Sequence, residues 1–168
     1  LISTFLFSNK RLITSIFWFS KVSNINKYWL LRTDNLINIS VDPQNKNFIT
    51  YENKLILGKS RIDIDVFDMI LFADRNIEKI TIPPFIKIIG NGSFKNCKNL
   101  RYVNFNDNDT KLQIIGENAF EGNSIMSISI PDNVIQIGKY SFSDCSNLKK
   151  VKISRNSKLR EINKCAFY

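Results

Sequence analysis

Cys97, Cys145 and Cys165 are the strongest nucleophiles in the chain by type, yet they stand without a base, because the sequence contains no histidine. That removes Ser–His and Cys–His pairs together with the commonest metal ligand. An odd number of cysteines without a CxxC pair points neither to a disulfide framework nor to a zinc site. Asp63, Asp65 and Asp68 cluster in "RIDIDVFD" (61–68), but a calcium loop would need a glycine and a bidentate glutamate that are absent here. Their alternation with Ile62, Ile64 and Val66 predicts instead a strand whose aspartates face water. Glu52, Glu78, Glu117 and Glu121 supply carboxylates, but no pair of them recurs in a setting suited to acid–base work. "GNGSF", beginning at Gly90, lacks the G-K-[ST] ending of a phosphate loop. The residues therefore predict no catalytic group, no metal and no cofactor.

Charge offers a second kind of chemistry. The net charge is +9, and much of the excess falls in residues 148–168, where Lys149, Lys150, Lys152, Arg155, Lys158, Arg160 and Lys164 face only Glu161. The simpler reading is a solvated, solubilising surface; the sharper one is a patch for an anionic glycan, a lipid headgroup or nucleic acid. No apolar run approaches the ~20 residues of a membrane-spanning helix. In "LISTFLFSNKRLITSIFWFSKVSN", Lys10 and Arg11 precede an apolar stretch from Leu12 to Phe19, but no small-residue cleavage site follows, so no signal peptide is assigned. Asn38, Asn91 and Asn108 open N-x-[ST] sequons, which matter only in a secretory pathway.

The elements that must carry these residues are repeats. Four phrases follow one another: "IEKITIPPFIKIIGNGSFKNCKN" (77–99), "LRYVNFNDNDTKLQIIGENAFEGNS" (100–124), "IMSISIPDNVIQIGKYSFSDCSN" (125–147) and the shorter "LKKVKISRNSKLREINKCAFY" (148–168). Each reads L-x-x-I-x-I, then a polar or proline turn, then I-x-x-I-G-x-x-A/S-F. A unit this short cannot bury its own apolar face, whereas stacked units make one continuous core. The L-x-x-I-x-I segments are predicted as parallel strands that Pro83 and Pro131 close, since a missing N–H costs least at a strand end. Gly90, Gly116 and Gly138 share one slot that Asn163 fills in the fourth unit, and a positive φ is the simplest account of that preference. Ser93, Ala119, Ser141 and Ala166 are all small, so that slot should face a crowded neighbour.

"IMSISIPDNVIQIGKYSFSDCSNL" resembles the leucine-rich repeat in its BspA-like, treponemal-type form, found in surface-antigen-like proteins of bacteria and parasitic protists. About a dozen positions recur at fixed offsets. The resemblance implies a repeat solenoid with a parallel β-sheet on its concave face and short turns, extended segments or 3-10 or helical pieces on its convex face. Before the four repeats, residues 35–76 read as a divergent longer unit, with Leu36, Ile39 and Val41 in the strand frame and a "VDPxNxxF" segment common in this family. Residues 1–34, with Ile2, Phe5 and Phe7 in frame, read as a degenerate repeat or N-terminal cap.

In this frame Cys97 and Cys145 occupy one slot two rungs apart, so their Cα atoms should lie ~10 Å apart, beyond the about 7 Å that a disulfide spans. Gly122 or Asn123 should fill the gap between them. Phe94, Phe120, Phe142 and Phe167 are expected to form a core ladder rather than a base-stacking platform. Any binding should use the strand residues that point away from the core: Lys79, Thr81, Tyr102, Asn104, Ser127, Ser129, Lys150 and Lys152. The resemblance implies a non-enzymatic, surface or secreted, adhesin-like module for a protein or glycan ligand on a host cell or matrix. An intracellular interaction scaffold and an anionic-surface or nucleic-acid binder are the alternatives, with nucleic acid the less favoured. The final phrase stops short of a full repeat, and the sequence reads as a fragment of a longer array.

Overall fold

The computed structural model describes residues 14–26, 29–30, 33, 35–63, 65–106 and 109–168. Ile2, Phe5, Phe7, Lys10, Arg11 and the Asn108 sequon lie outside these. The described chain contains β1 (Ser15–Trp18), β2 (Asn38–Val41), β3 (Phe48–Tyr51), β4 (Leu55–Gly58), β5 (Met69–Ala73), β6 (Lys79–Thr81), β7 (Ile88–Ile89), β8 (Tyr102–Asn104), β9 (Ile114–Ile115), β10 (Ser127–Ile130), β11 (Gln136–Ile137), β12 (Lys150–Ile153) and β13 (Glu161–Ile162), with no helix among the described residues.

Each repeat gives two strands, one from each half of its pattern, and the two series stack separately. In the first series β6 pairs in parallel with β8, and β10 with β12, matching Ile80 to Val103 and Ile128 to Val151. Pro83 and Pro131 follow directly, and their carbonyls accept the N–H of Ile86 and Val134 at 3.1 Å, closing the turn into the second half. There β7, β9, β11 and β13 form a narrow parallel ladder in which Ile89, Ile115, Ile137 and Ile162 stand in line. This ladder joins β5, and through it an antiparallel meander of β5, β4 and β3.

A third ladder runs through the I-G-x-x-A-F turns, where no strand is assigned. The N–H groups of Gly92, Phe94 and Asn96 donate to the carbonyls of Glu117, Ala119 and Glu121 one rung on. Asn118, Phe120 and Gly122 repeat this toward Lys139, Ser141 and Ser143, and Tyr140, Phe142 and Asp144 toward Lys164, Ala166 and Tyr168. Aiming alternate N–H groups the same way in a tight bend takes left-handed backbone at two positions per rung. Gly92, Asn118, Tyr140 and Cys165 hold φ of 64°, 55°, 56° and 55°, and Asn96, Gly122 and Asp144 hold 59°, 71° and 55°.

The expected positive φ at Gly90, Gly116 and Gly138 is thus corrected: it lies two residues further on. The glycines answer to close approach instead. A Cβ on Gly90 would sit 2.5 Å from the Ile70 carbonyl oxygen, and one on Gly138 2.5 Å from the Gly116 carbonyl carbon. In the fourth rung Asn163 turns its side chain back onto the ladder, Nδ2 donating to the Ile137 carbonyl at 3.2 Å.

Inside, the rungs repeat by translation, so their side chains stack. Phe94–Phe120, Phe120–Phe142 and Phe142–Phe167 lie 4.9, 5.2 and 5.1 Å apart, with interplanar angles of 15°, 6° and 2°. That separation follows the ~4.8 Å spacing of hydrogen-bonded strands. Around the first three phenylalanines the leucines and isoleucines of the rungs make one core running from Leu55 to Ala166; in the last rung Ile153, Ile162 and Phe167 are 46%, 51% and 38% exposed, so Phe167 stacks on Phe142 without being buried as the core ladder position was expected to be. The small slot beside them is tight: the Ser93 and Ser141 hydroxyls are buried without a hydrogen-bond partner.

A second core gathers Trp18, Leu30, Leu36, Ile39, Phe48, Ile56, Leu71 and Phe72. The meander strands separate the two, which is why "LILG" and "MILFA" are apolar on both faces: Leu55, Leu57 and Ile70 point into the long core, Ile56 and Phe72 into the second. A register shift between Ile56 and Leu57 leaves Leu71 unpaired, so it joins Phe72 on the second side. Asn45, buried in the "VDPQN" turn, fastens this unit: its Nδ2 donates to the Phe19 and Val22 carbonyls, and its Oδ1 accepts the N–H of Asn47 and Phe48.

The strand expected over 61–68 is absent among the described residues of that segment, Ile64 lying outside them. Arg61, Ile62 and Asp63 bend and turn after β4, with Ile62 fully exposed and Val66 43% exposed. Alternation marks a strand only where one face is buried, and β4 already has β3 and β5 on its two edges.

Two substitutions test these packing accounts. Gly138→Ala should cost about 3 kcal/mol, the upper range for overpacking against a neighbour that cannot retreat. Gly92→Ala, where the nearest atom is 3.7 Å away and only φ is unfavourable, should cost about 1 kcal/mol. Urea melts that reverse this order would refute the close-approach role of the Gly138 slot. Ser141→Ala should gain about 1 kcal/mol, because it deletes a buried hydroxyl with nothing to bond.

Candidate functional site

Strand geometry aims every second residue of the first series outward. Lys79, Thr81, Tyr102, Asn104, Ser127, Ser129, Lys150 and Lys152 are all exposed. The register is one to one: Lys79 lies beside Tyr102 and Thr81 beside Asn104, while Ser127 lies beside Lys150 and Ser129 beside Lys152. The result is two rows ~7 Å apart, with rungs ~4.8 Å apart within the β6–β8 pair and within the β10–β12 pair; β8 and β10 are not hydrogen-bonded to each other. Tyr102 is 61% exposed. Between them run Ile80, Val103, Ile128 and Val151, on the inward side of the same strands. Among the described residues, the four ion pairs formed involve none of Lys79, Lys150 and Lys152.

The cysteines occupy a different part of the rung and are free. Their slot donates to a carbonyl of the rung before: Cys97 Sγ to Asp74 at 3.7 Å, Asn123 Nδ2 to Phe94 at 2.9 Å, Cys145 Sγ to Phe120 at 3.1 Å. Asn123 therefore fills the gap between the two thiols, and Gly122 belongs to the left-handed slot before it. Burial pushes the Cys145 thiol up to about 11. It also pushes Cys97 up, against the lowering influence of the Arg75 guanidinium 3.6 Å away. A thiol held in its protonated form is a poor nucleophile. Cys165, partly exposed, sits in the left-handed slot.

Arg75 carries no signal in the sequence that would single it out. Its guanidinium lies 4.2 Å from the Phe72 ring centre and donates to the Ser93 and Gly92 carbonyls at 2.7 and 3.3 Å, joining the second core to the first turn of the ladder. The aspartate cluster divides. Asp63 pairs with Arg61 and Asp65 with Lys59, both at the surface. Asp68, expected to face water, is buried. Burial alone would raise its carboxyl, but bonds from Ser60 and Lys87 outweigh it and hold the carboxyl below the usual range. No group of acidic and cysteine residues among those described could hold a metal ion.

A cavity of about 660 Å³ opens between Ser23, Asn24, Ile25, Asn26 and Trp29 on one side and the outer face of the meander and its parallel neighbours on the other. Ile25, Trp29, Phe48, Met69, Ile88 and Ile114 give it apolar walls, and Lys59, the one cation among the described lining residues, is already paired with Asp65 at 2.7 Å. Of Glu52, Glu78, Glu117 and Glu121, Glu121 is tied to Lys95 at 3.0 Å and to Asn118.

Comparison with known proteins bears on the stacked rungs. The family model for the BspA type leucine rich repeat region matches residues 66–168 in six copies. A leucine-rich repeat protein from Eubacterium ventriosum shares the fold with a TM-score of 0.72 at 22% identity, over 92% of this chain and 40% of that one. The pneumococcal vaccine antigen PcpA aligns with a TM-score of 0.59 at 18% identity, over 92% of this chain and 43% of its own. The chain thus spans about two fifths of the length of either. No curated protein sequence matches it. Among the described residues no helix is long and apolar enough to cross a membrane.

The thiols report directly on the ladder. At pH 8 one cysteine per chain, Cys165, should react with a disulfide reagent, and Cys97 and Cys145 only after unfolding. Because Cys145 stays protonated in the folded chain up to about pH 11 but ionises in the unfolded chain near ~8.5, the unfolded state binds fewer protons between those values. Stability should therefore fall as pH rises through that window, and Cys145→Ala should flatten the fall. Native reactivity of Cys145 equal to that of Cys165 would mean the slot is open.

Proposed function

The chain belongs to the BspA-type leucine-rich repeat family, and from that premise we propose that it is a non-catalytic recognition module whose binding face is the outward stripe of β6, β8, β10 and β12. One observation carries this reading. The inward positions of the first-series strand segments are isoleucine, leucine or valine except for Phe105, while the eight outward positions are exposed and vary along the stripe. Repetition inside is what stacking demands. Difference outside, in fixed register, is how a solenoid presents a composite surface to a large ligand.

The partner in this reading is a protein or glycan of a host cell surface or matrix, and the chain acts outside the cell. The likeness to a protein described as a vaccine antigen supports an exposed location. The thiols and carboxylates support a role without catalysis, since the first are buried or lack a base and the second are engaged in ion pairs or stand apart.

Labelled protein applied to intact epithelial monolayers and to extracellular-matrix coats should adhere to at least one. Ser127→Gln/Ser129→Gln, which enlarges two side chains at the centre of the stripe without changing charge, should reduce adhesion at least tenfold and leave the melting curve unchanged. Gln136→Ala, on the other ladder, should have no effect. Unchanged adhesion in the double variant would remove the stripe as the binding face, and a wild-type chain that adheres to neither surface would remove the adhesive role.

A further inference from the structure

We infer that the ligand class for the stripe is a linear acidic polysaccharide lying along the solenoid axis, with Lys150 and Lys152 holding its sulfate or carboxylate groups and Tyr102 stacking on a sugar ring. The inference rests on the stripe being the binding face and adds the chemistry of what it binds.

Three features of the face support it. The first is charge. Of the eight stripe positions three are lysines and none is acidic. In the last rung the adjoining Lys149 adds to Lys150 and Lys152, while the rung's one acid, Glu161, belongs to β13 on the other ladder. Among the described residues neither Lys150 nor Lys152 has a carboxylate partner, which leaves both ammonium groups for an external anion in this reading. An ammonium is a point charge with freely turning donors, suited to sulfate and carboxylate groups whose position varies along a polymer.

The second is the sequence of groups along the axis. Lys79 stands at one end and Lys150 and Lys152 at the other, with Tyr102, Asn104, Ser127 and Ser129 between them. The middle thus offers one aromatic face, one amide and two hydroxyls, the groups that recognise a sugar's apolar ring face and its hydroxyls. The third is period. Within the β6–β8 pair and within the β10–β12 pair the strands lie ~4.8 Å apart, close to the rise of one pyranose in an extended polysaccharide, so the two rungs of each pair meet successive sugars.

The same face suits nucleic acid poorly. Tyr102 is the one aromatic among the eight positions, whereas single strands are held by successive aromatic platforms.

The test is titration calorimetry with a heparin-derived octasaccharide, a neutral dextran of similar length and a single-stranded oligonucleotide of matched charge. The octasaccharide should bind, and more weakly as salt rises. Lys150→Ser/Lys152→Ser should lower affinity at least tenfold and reduce the salt slope, and Tyr102→Ser should lower affinity with the salt slope unchanged. Lys158→Ser/Lys164→Ser, which removes the same charge off the stripe, should change affinity less than twofold. No binding to the octasaccharide, equal binding to the oligonucleotide, or equal loss in the two double-lysine variants would overturn the inference. Adhesion assays after digestion of the cells or matrix with heparan and chondroitin lyases separate it from the reading beneath it. Adhesion that resists the lyases but is lost in Ser127→Gln/Ser129→Gln leaves the stripe as the binding face and sinks the acidic glycan; adhesion indifferent to both sinks the two together.

Discussion

Consecutive rungs of this chain are held one hydrogen bond apart along two continuous ladders, that of β7, β9, β11 and β13 and that of the turns, with a third broken between β8 and β10, and that fixed spacing governs most of what the sequence is allowed to be. At ~4.8 Å there is room for a phenylalanine ring on a phenylalanine ring, provided the rings are parallel, and the stacked rings tilt by no more than 15°. There is no room for a Cβ where one backbone crosses directly over another, which leaves glycine at Gly90, Gly116 and Gly138. The unpartnered hydroxyls of Ser93 and Ser141 follow from the same crowding: the slot admits a small side chain but no acceptor for it.

The spacing also explains the strained backbone. A sheet aims alternate N–H groups at a neighbour because its strand is extended. The I-G-x-x-A-F turn is not extended, and it recovers the same alternation only by placing two residues per rung in the left-handed region. Tyr140 and Cys165 occupy that region with ordinary side chains, at a cost of about 1–2 kcal/mol each, which the hydrogen bonds and ring stacking of the turn must offset. Gly92 and Gly122 relieve the cost where they occur, without a fixed place in the pattern.

Much of this was legible beforehand, and the boundary of what was legible is physical. Isoleucine and phenylalanine offsets disclosed rung length, strand register and the ring ladder, because stacking by translation forces like residues onto like. The glycine slot was visible too, but its cause was misjudged: a recurring glycine reports either a backbone angle or a close approach, and only the position of the neighbouring rung distinguishes them. "RIDIDVFD" failed for a related reason, since alternation says nothing about whether a strand edge is free to receive it. Asn45 and Arg75 were invisible because each acts once, where the repeat gives way to the meander, and a search for recurrence passes over what occurs once.

The second core shows what interrupts the run of like rungs, with β1 and β2 paired in parallel on its far side. A parallel ladder presents a bare edge to whatever comes before it, and here β5 meets β7 in parallel while turning antiparallel toward β4 and β3. The change of direction breaks the translation, so the face beyond it needs apolar cover of a different kind, supplied by Trp18, Phe48 and Phe72 rather than by another isoleucine row. It follows that variation is distributed unevenly through this chain. Residues inside the rungs answer to the neighbour above and below. Residues on the outward face of β6, β8, β10 and β12, apart from Asn104 whose Oδ1 accepts the Asn106 N–H, lie outside the ladders, and so are the ones on which selection for a partner can act without disturbing them.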